Sequence, residues 1–167
     1  KREPRLTQLK ELAELFHRTT AFFLEEGPLP SEVVLWRQKP QSPHAEELQA
    51  QLLRLAEQYH LLEQWCESFE PLQIPFAAGH ADGFGYQQAE KLAHDFRNIH
   101  GLGERPGQSL LRVVEEICKI KVFHIAFEPS GSAACSLDAT FGAAILLNAK
   151  NVRWRRNFDL AHELFHL

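Results

Sequence analysis

Residues 143–167 read AAILLNAKNVRWRRNFDLAHELFHL, and this stretch decides the fold. Its first part, Ala143 to Asn148, is an almost unbroken apolar run of strand length. From Val152 to Leu167 apolar and polar residues interleave at helical spacing, with Phe158, Leu164, Phe165 and Leu167 as the apolar body expected to bury the helix. A strand passing directly into an amphipathic helix predicts an α+β layout.

That helix ends in His162-Glu163-Leu164-Phe165-His166, an HExxH pattern. Positions i and i+4 lie one turn apart on one helix face, so His162 and His166 can share one metal ion. Glu163 stands beside the first histidine, where it can take a proton from a metal-activated water. Zinc is the expected ion, with His162 and His166 as ligands and Glu163 as general base. Chance supplies about 0.05 such matches in a chain of this composition, so the pattern is informative without being decisive.

Working upstream, Cys135–Thr140 and Ile120–Phe127 read as two further strands, with Phe141-Gly142 at a tight turn or bulge. Before them Ser109 is placed to cap the helix LLRVVEEIC, and Tyr86–Ile99 carries Ala89, Leu92, Ala93 and Phe96 on one face, ending at Gly101. Gly101, Gly103 and Gly107 lack the preceding strand and the GK[ST] of a phosphate loop, and read as cap and turn residues. Two helices, a small antiparallel sheet and the HExxH helix are thus predicted for 85–167. Further back, Glu46–Trp65 is a long amphipathic helix with Leu48, Leu52, Leu55, Ala56, Tyr59 and Leu62 in one stripe, suited to packing on its own domain or to homodimerisation. Pro28, Pro30, Pro40 and Pro43 punctuate a stretch that reads as linker, and the Gly- and Pro-rich PLQIPFAAGHADGFG marks a boundary before the last domain. Leu6–Phe23 is helical, with Thr19-Thr20 offering a cap for a short second helix, AFFLEE. The expected division is 1–27, 28–84 and 85–167.

The whole chain of 167 residues is 44% hydrophobic and 24% charged, which excludes general disorder. Its net charge of −4 argues against a surface devoted to phosphate binding. Three cysteines without CxxC spacing read as buried thiols in a reducing, cytoplasmic compartment. No apolar run is long enough to span a bilayer. The chain contains no methionine and begins with Lys1, so it is expected to be part of a longer polypeptide. Lys150, Arg153, Arg155 and Arg156 cluster before the HExxH helix, where positive charge opposes the macrodipole. Arg153, Arg155 and Arg156 are therefore candidates for a rim that attracts an acidic substrate, or for pairing with a carboxylate such as Asp159.

The run Arg155–Leu167 resembles the active-site helix of the ImmA/IrrE family of metallopeptidases. The similarity extends upstream to about Tyr86 through AEKLA…FR, GLGERP, LLRVVEEIC, KIKVFHI and GAAILLNAK, in that family's order. Residues 4–37 resemble the segment joining an XRE-type helix-turn-helix to such a domain. The resemblance implies a zincin-like domain and a third, carboxylate ligand downstream of the helix, beyond Leu167. It also implies a DNA-binding module upstream of this chain, since residues 1–25 hold no recognition helix. Within the chain His124, Glu128 and Asp138 are the available, poorer substitutes for that ligand. Two functions follow as expectations. One is a zinc-dependent endopeptidase domain of a transcriptional regulator, hydrolysing a repressor-type protein. The other is a non-catalytic ligand- or metal-sensing domain of a helix-turn-helix transcription factor.

Overall fold

The computed structural model describes residues 4–16, 18–24, 34–40, 44–74, 84–128 and 131–167. Pro28, Pro30, Pro43 and most of the 71–85 boundary segment lie outside them. Among the described residues the fold is α+β, with five helices and one four-stranded sheet. The helices are α1 (Leu6–Leu15), α2 (His44–Trp65), α3 (Tyr86–Ile99), α4 (Leu110–Arg112) and α5 (Arg153–His166). The strands are β1 (Val34–Trp36), β2 (Lys121–Ile125), β3 (Ala133–Asp138) and β4 (Gly142–Asn148).

The sheet order is β1-β3-β4-β2, and it is mixed where an antiparallel sheet is expected. β3 pairs antiparallel with both β1 and β4, whereas β2 runs parallel to β4, with Lys121 opposite Ala144 and Ile125 opposite Asn148. β2 and β3, consecutive in the chain, thus lie on opposite sides of β4. Parallel partners are usually joined through a helix; with none here, three successive strand-like runs resemble a meander. β1 is the second difference. Val34–Trp36 falls inside the stretch read as linker, yet it pairs with Ser136, Cys135 and Ala134 of β3.

β4 shows why the sheet sits in the middle of the fold. Ala143, Ile145 and Leu147 point to one core with Val113, Val114, Ile120, Cys135 and Leu160. Ala144 and Leu146 point to another with Leu48, Leu52, Leu53, Ala56, Phe127 and Phe141. A strand covered on both faces has no solvent side to keep polar, so it reads as a continuous apolar run. α2 covers one face and α4 with α5 the other. In α2 the buried stripe is Ala45, Leu48, Leu52, Leu53, Ala56 and His60, while Tyr59 and Leu62 are exposed. α1 is held to α2 by Arg18, whose guanidinium donates to both Glu57 oxygens at 2.6 and 2.7 Å. Of AFFLEE, Ala21–Phe23 forms a single 3-10 turn, and Thr19 Oγ1 accepts the Phe22 N–H.

The helix after Ser109 does not run uniformly. Val113–Ile117 widens into π-type geometry, and the Cys118 N–H bonds the Val113 carbonyl at 2.9 Å. Gly101 and Gly103 adopt φ near +60°, the left-handed conformation that ends α3 and turns the chain. Cys118 and Cys135 are buried, but Cys66 is exposed, at the end of α2. None of the helices among the described residues is long and apolar enough to cross a membrane.

Asn148, fully buried at the end of β4, fixes the loops that lead into α5. Its Nδ2 donates to the carbonyls of Phe127, Glu128 and Gly131, and its Oδ1 accepts from the Phe127 and Lys150 N–H groups. Alanine at this position strands buried backbone groups and is expected to cost about 3 kcal/mol. Urea unfolding of Asn148→Ala checks this; an unchanged midpoint would show the network to be dispensable.

Candidate metal centre

α5 begins after Val152 and runs to His166, so all three HExxH side chains lie on one continuous helix. Its buried residues are Asp159, Leu160 and Glu163, a face that is largely acidic. The expected apolar body is only partly realised: Leu164 and Leu167 pack against the core, but Phe158 and Phe165 are 56% and 49% exposed. The reason is rotational. The i, i+4 pair Asp159 and Glu163 faces the sheet, which turns Phe158 and Phe165 outward.

His162 and His166 converge as the spacing predicts. Their Nε2 atoms stand 3.0 Å apart and the rings meet edge to face. A tetrahedral zinc ion with bonds of about 2.05 Å needs ligand nitrogens about 3.3 Å apart, so these two imidazoles fit one ion after a small adjustment. Burial first, then the Arg37 guanidinium and His166, lowers the His162 pKa against the opposing influence of Asp159. Its imidazole therefore keeps a free lone pair at neutral pH, as a metal ligand must. Among the described residues no third His, Cys, Asp or Glu joins the pair in a group able to hold a metal ion. His124 sits exposed on β2, Glu128 faces Lys150 at 3.8 Å, and Asp138 accepts the Thr140 N–H at 2.7 Å.

Glu163 has no exposed surface, and neither carboxylate oxygen has a hydrogen-bond partner of good geometry among the described residues. Its neighbour on β3 is Cys135, whose thiol is a weak donor at best. Burial pushes the Glu163 carboxyl up to about 7; Cys135 and Arg37 oppose the rise and Asp159 adds to it. Cys135 itself is raised well above the thiol range by burial and by Glu163, so it stays protonated. Glu163 thus follows the first histidine along α5, but its carboxyl is buried against Cys135 of β3.

Asp159 underpins this helix face. Its Oδ1 lies 3.1 Å from Arg37 Nη1 and 3.2 Å from Arg155 Nε, at angles that make the attraction ionic rather than hydrogen-bonded. Asn151 Nδ2 donates to Oδ2 at 3.4 Å. Arg37, just beyond β1, also lies over the Phe158 ring, 4.3 Å from its centroid. Of the three basic rim candidates, Arg155 is thus engaged by Asp159, Arg156 is close enough to His124 to lower its pKa after burial does, and Arg153 is exposed. Nothing in the sequence pattern around Arg37 or Cys135 marks either as part of the site. Removing Arg37 leaves a buried carboxylate with one cation, and Arg37→Ala is expected to destabilise the chain by about 2 kcal/mol. Thermal melting reads this directly; an unaltered melting temperature would mean that Arg155 alone suffices.

An apolar groove of about 600 Å³ runs between α3 and α5. Leu92 and Phe96 form one wall, Phe158, Ala161 and Phe165 the other, and His166 reaches its edge. No family model, curated protein or solved structure matches this chain.

Proposed function

We propose that this chain is the metal-binding core of a zinc-dependent endopeptidase of the ImmA/IrrE type, belonging to a helix-turn-helix regulator and acting on a repressor-type protein. The observation that carries the reading is the 3.0 Å approach of His162 and His166 Nε2 on the helix that also carries the buried Glu163. His162 and His166 would hold zinc. Zinc held there would supply an acidified water and polarise the scissile carbonyl. Glu163 takes the proton of the attacking water and returns it to the leaving amine, a role suited to a carboxyl poised near neutrality. The groove between α3 and α5 would receive an apolar side chain of the extended substrate, and Arg153 would remain to attract acidic residues. Incubating the zinc-loaded chain with a helix-turn-helix repressor and mapping new N-termini by mass spectrometry tests this. A zinc-dependent cut supports it; a repressor left intact with and without zinc counts against it.

One observation favours the sensing alternative. Glu163 faces β3 and is fully enclosed, so without some movement it cannot reach a substrate's water. A domain that binds zinc tightly and never cleaves would fit that enclosure.

A further inference from the structure

We propose that a cleft of about 390 Å³ at the start of α5 binds a phosphoryl group. The first turn of α5 is uncapped: Val152 at the N-cap offers no side-chain acceptor, and no Asp or Glu stands in that turn. The first intrahelical bond runs from the Arg156 N–H to the Val152 carbonyl at 3.1 Å, which leaves the preceding N–H groups pointing outward. Lys150, Arg153, Arg155 and Arg156 crowd the positive end of the helix dipole; Asp159 offsets Arg155 and Glu128 lies 3.8 Å from Lys150, which leaves an excess of positive charge that favours an anion.

A separate observation points to the same ligand. Ser132 lines the cleft and is 2% exposed, yet its hydroxyl has no hydrogen-bond partner among the described residues. A buried hydroxyl left unpaired costs free energy that a bound acceptor would recover. The cleft is also preset. Asn148 accepts the Lys150 N–H through its Oδ1, donates from Nδ2 to the Gly131 carbonyl, and its own N–H bonds the Ser132 carbonyl at 3.0 Å. One buried side chain therefore holds both walls. Three kinds of donor then line the cleft: the Ser132 hydroxyl, the first-turn N–H groups, and the cations Lys150 and Arg155, the first 3.8 Å from Glu128 and the second meeting Asp159 through its Nε. A tetrahedral dianion uses all three at once, whereas a planar carboxylate meets fewer of them. Trp154, 70% exposed, stands on the rim and gives a flat surface for whatever group the phosphate carries. The site draws on none of the HExxH side chains, so its success or failure is independent of the metal reading.

Calorimetric titration of the whole chain with inorganic phosphate, and separately with ribose 5-phosphate and adenosine monophosphate, tests the proposal. Saturable binding of one equivalent is expected, weakened roughly tenfold in Lys150→Gln and in Ser132→Ala. Val152→Asp places a carboxylate at the N-cap; it should raise the melting temperature and abolish phosphate binding. Tighter binding of the esters than of phosphate assigns the site to a phosphorylated ligand, and equal or weaker binding to the free anion. Binding that does not saturate, or that survives Ser132→Ala and Val152→Asp unchanged, overturns the proposal.

Discussion

Alanine in place of His162 or His166 should abolish the chain's response to zinc. At zinc concentrations a hundredfold above its dissociation constant, a ligand that binds only the folded state adds about 2.7 kcal/mol of stability. For a domain of this size each kcal/mol shifts the midpoint by about 2–4 °C, so the parent should melt about 5–10 °C higher with zinc than with chelator. The variants should melt at one temperature under both conditions. The spacing explains why either substitution suffices. Each imidazole supplies one of two ligands that share a helix turn, and a single histidine holds zinc too weakly to bias folding. Because His166 is exposed and His162 only half-buried, neither change should unfold the metal-free chain. Equal zinc-induced shifts in parent and variants would place the metal elsewhere.

The second large effect concerns catalysis. Under the proposed endopeptidase function, Glu163→Gln should keep zinc and lower the rate of the proposed cleavage by about 10²- to 10⁴-fold, the usual contribution of a positioned general base. An amide of the same shape cannot take up the proton, while His162 and His166 are untouched. The enclosure of Glu163 supplies a control. In the parent an ionisable group occupies a buried position with only the weak Cys135 thiol donor beside it, so removing its charge should leave the metal-free melting temperature at or above the parent's. A variant that folds, binds zinc and still cleaves at the parent's rate would remove Glu163 from the mechanism. A variant that loses zinc would give the carboxyl a ligand role instead.

What could be read from the residues alone follows how local the physical signal is. α5, β4 and α2 announce themselves through periodicity or unbroken apolar character, because each buries residues at intervals set by its own geometry. The convergence of His162 and His166 is equally local, being one helix turn. β1 was hidden: three residues among prolines carry no period, and their strand state depends on β3 lying alongside. The parallel pairing of β2 with β4 was hidden for the same reason, since strand direction is set by a crossover and not by either strand's composition. The partnership of Arg37 with Asp159 depends on β1, which delivers Arg37 to the flank of α5. Cys135 reached Glu163 through the alternation of β3, which sends residues 133 and 135 to the α5 side and residue 134 to the α2 side. The outward Phe158 and Phe165 mislead in another way. Apolar residues on α5 suggest a buried stripe, but buried Asp159 and Glu163 fix the rotation of the helix.

X-ray absorption at the zinc edge of the metal-loaded chain measures the pairing of His162 with His166 most directly. Two imidazole nitrogens are expected at about 2.0 Å from zinc, falling to one in His166→Ala. A spectrum with thiolate sulfur, or with oxygen ligands alone, would contradict this pairing.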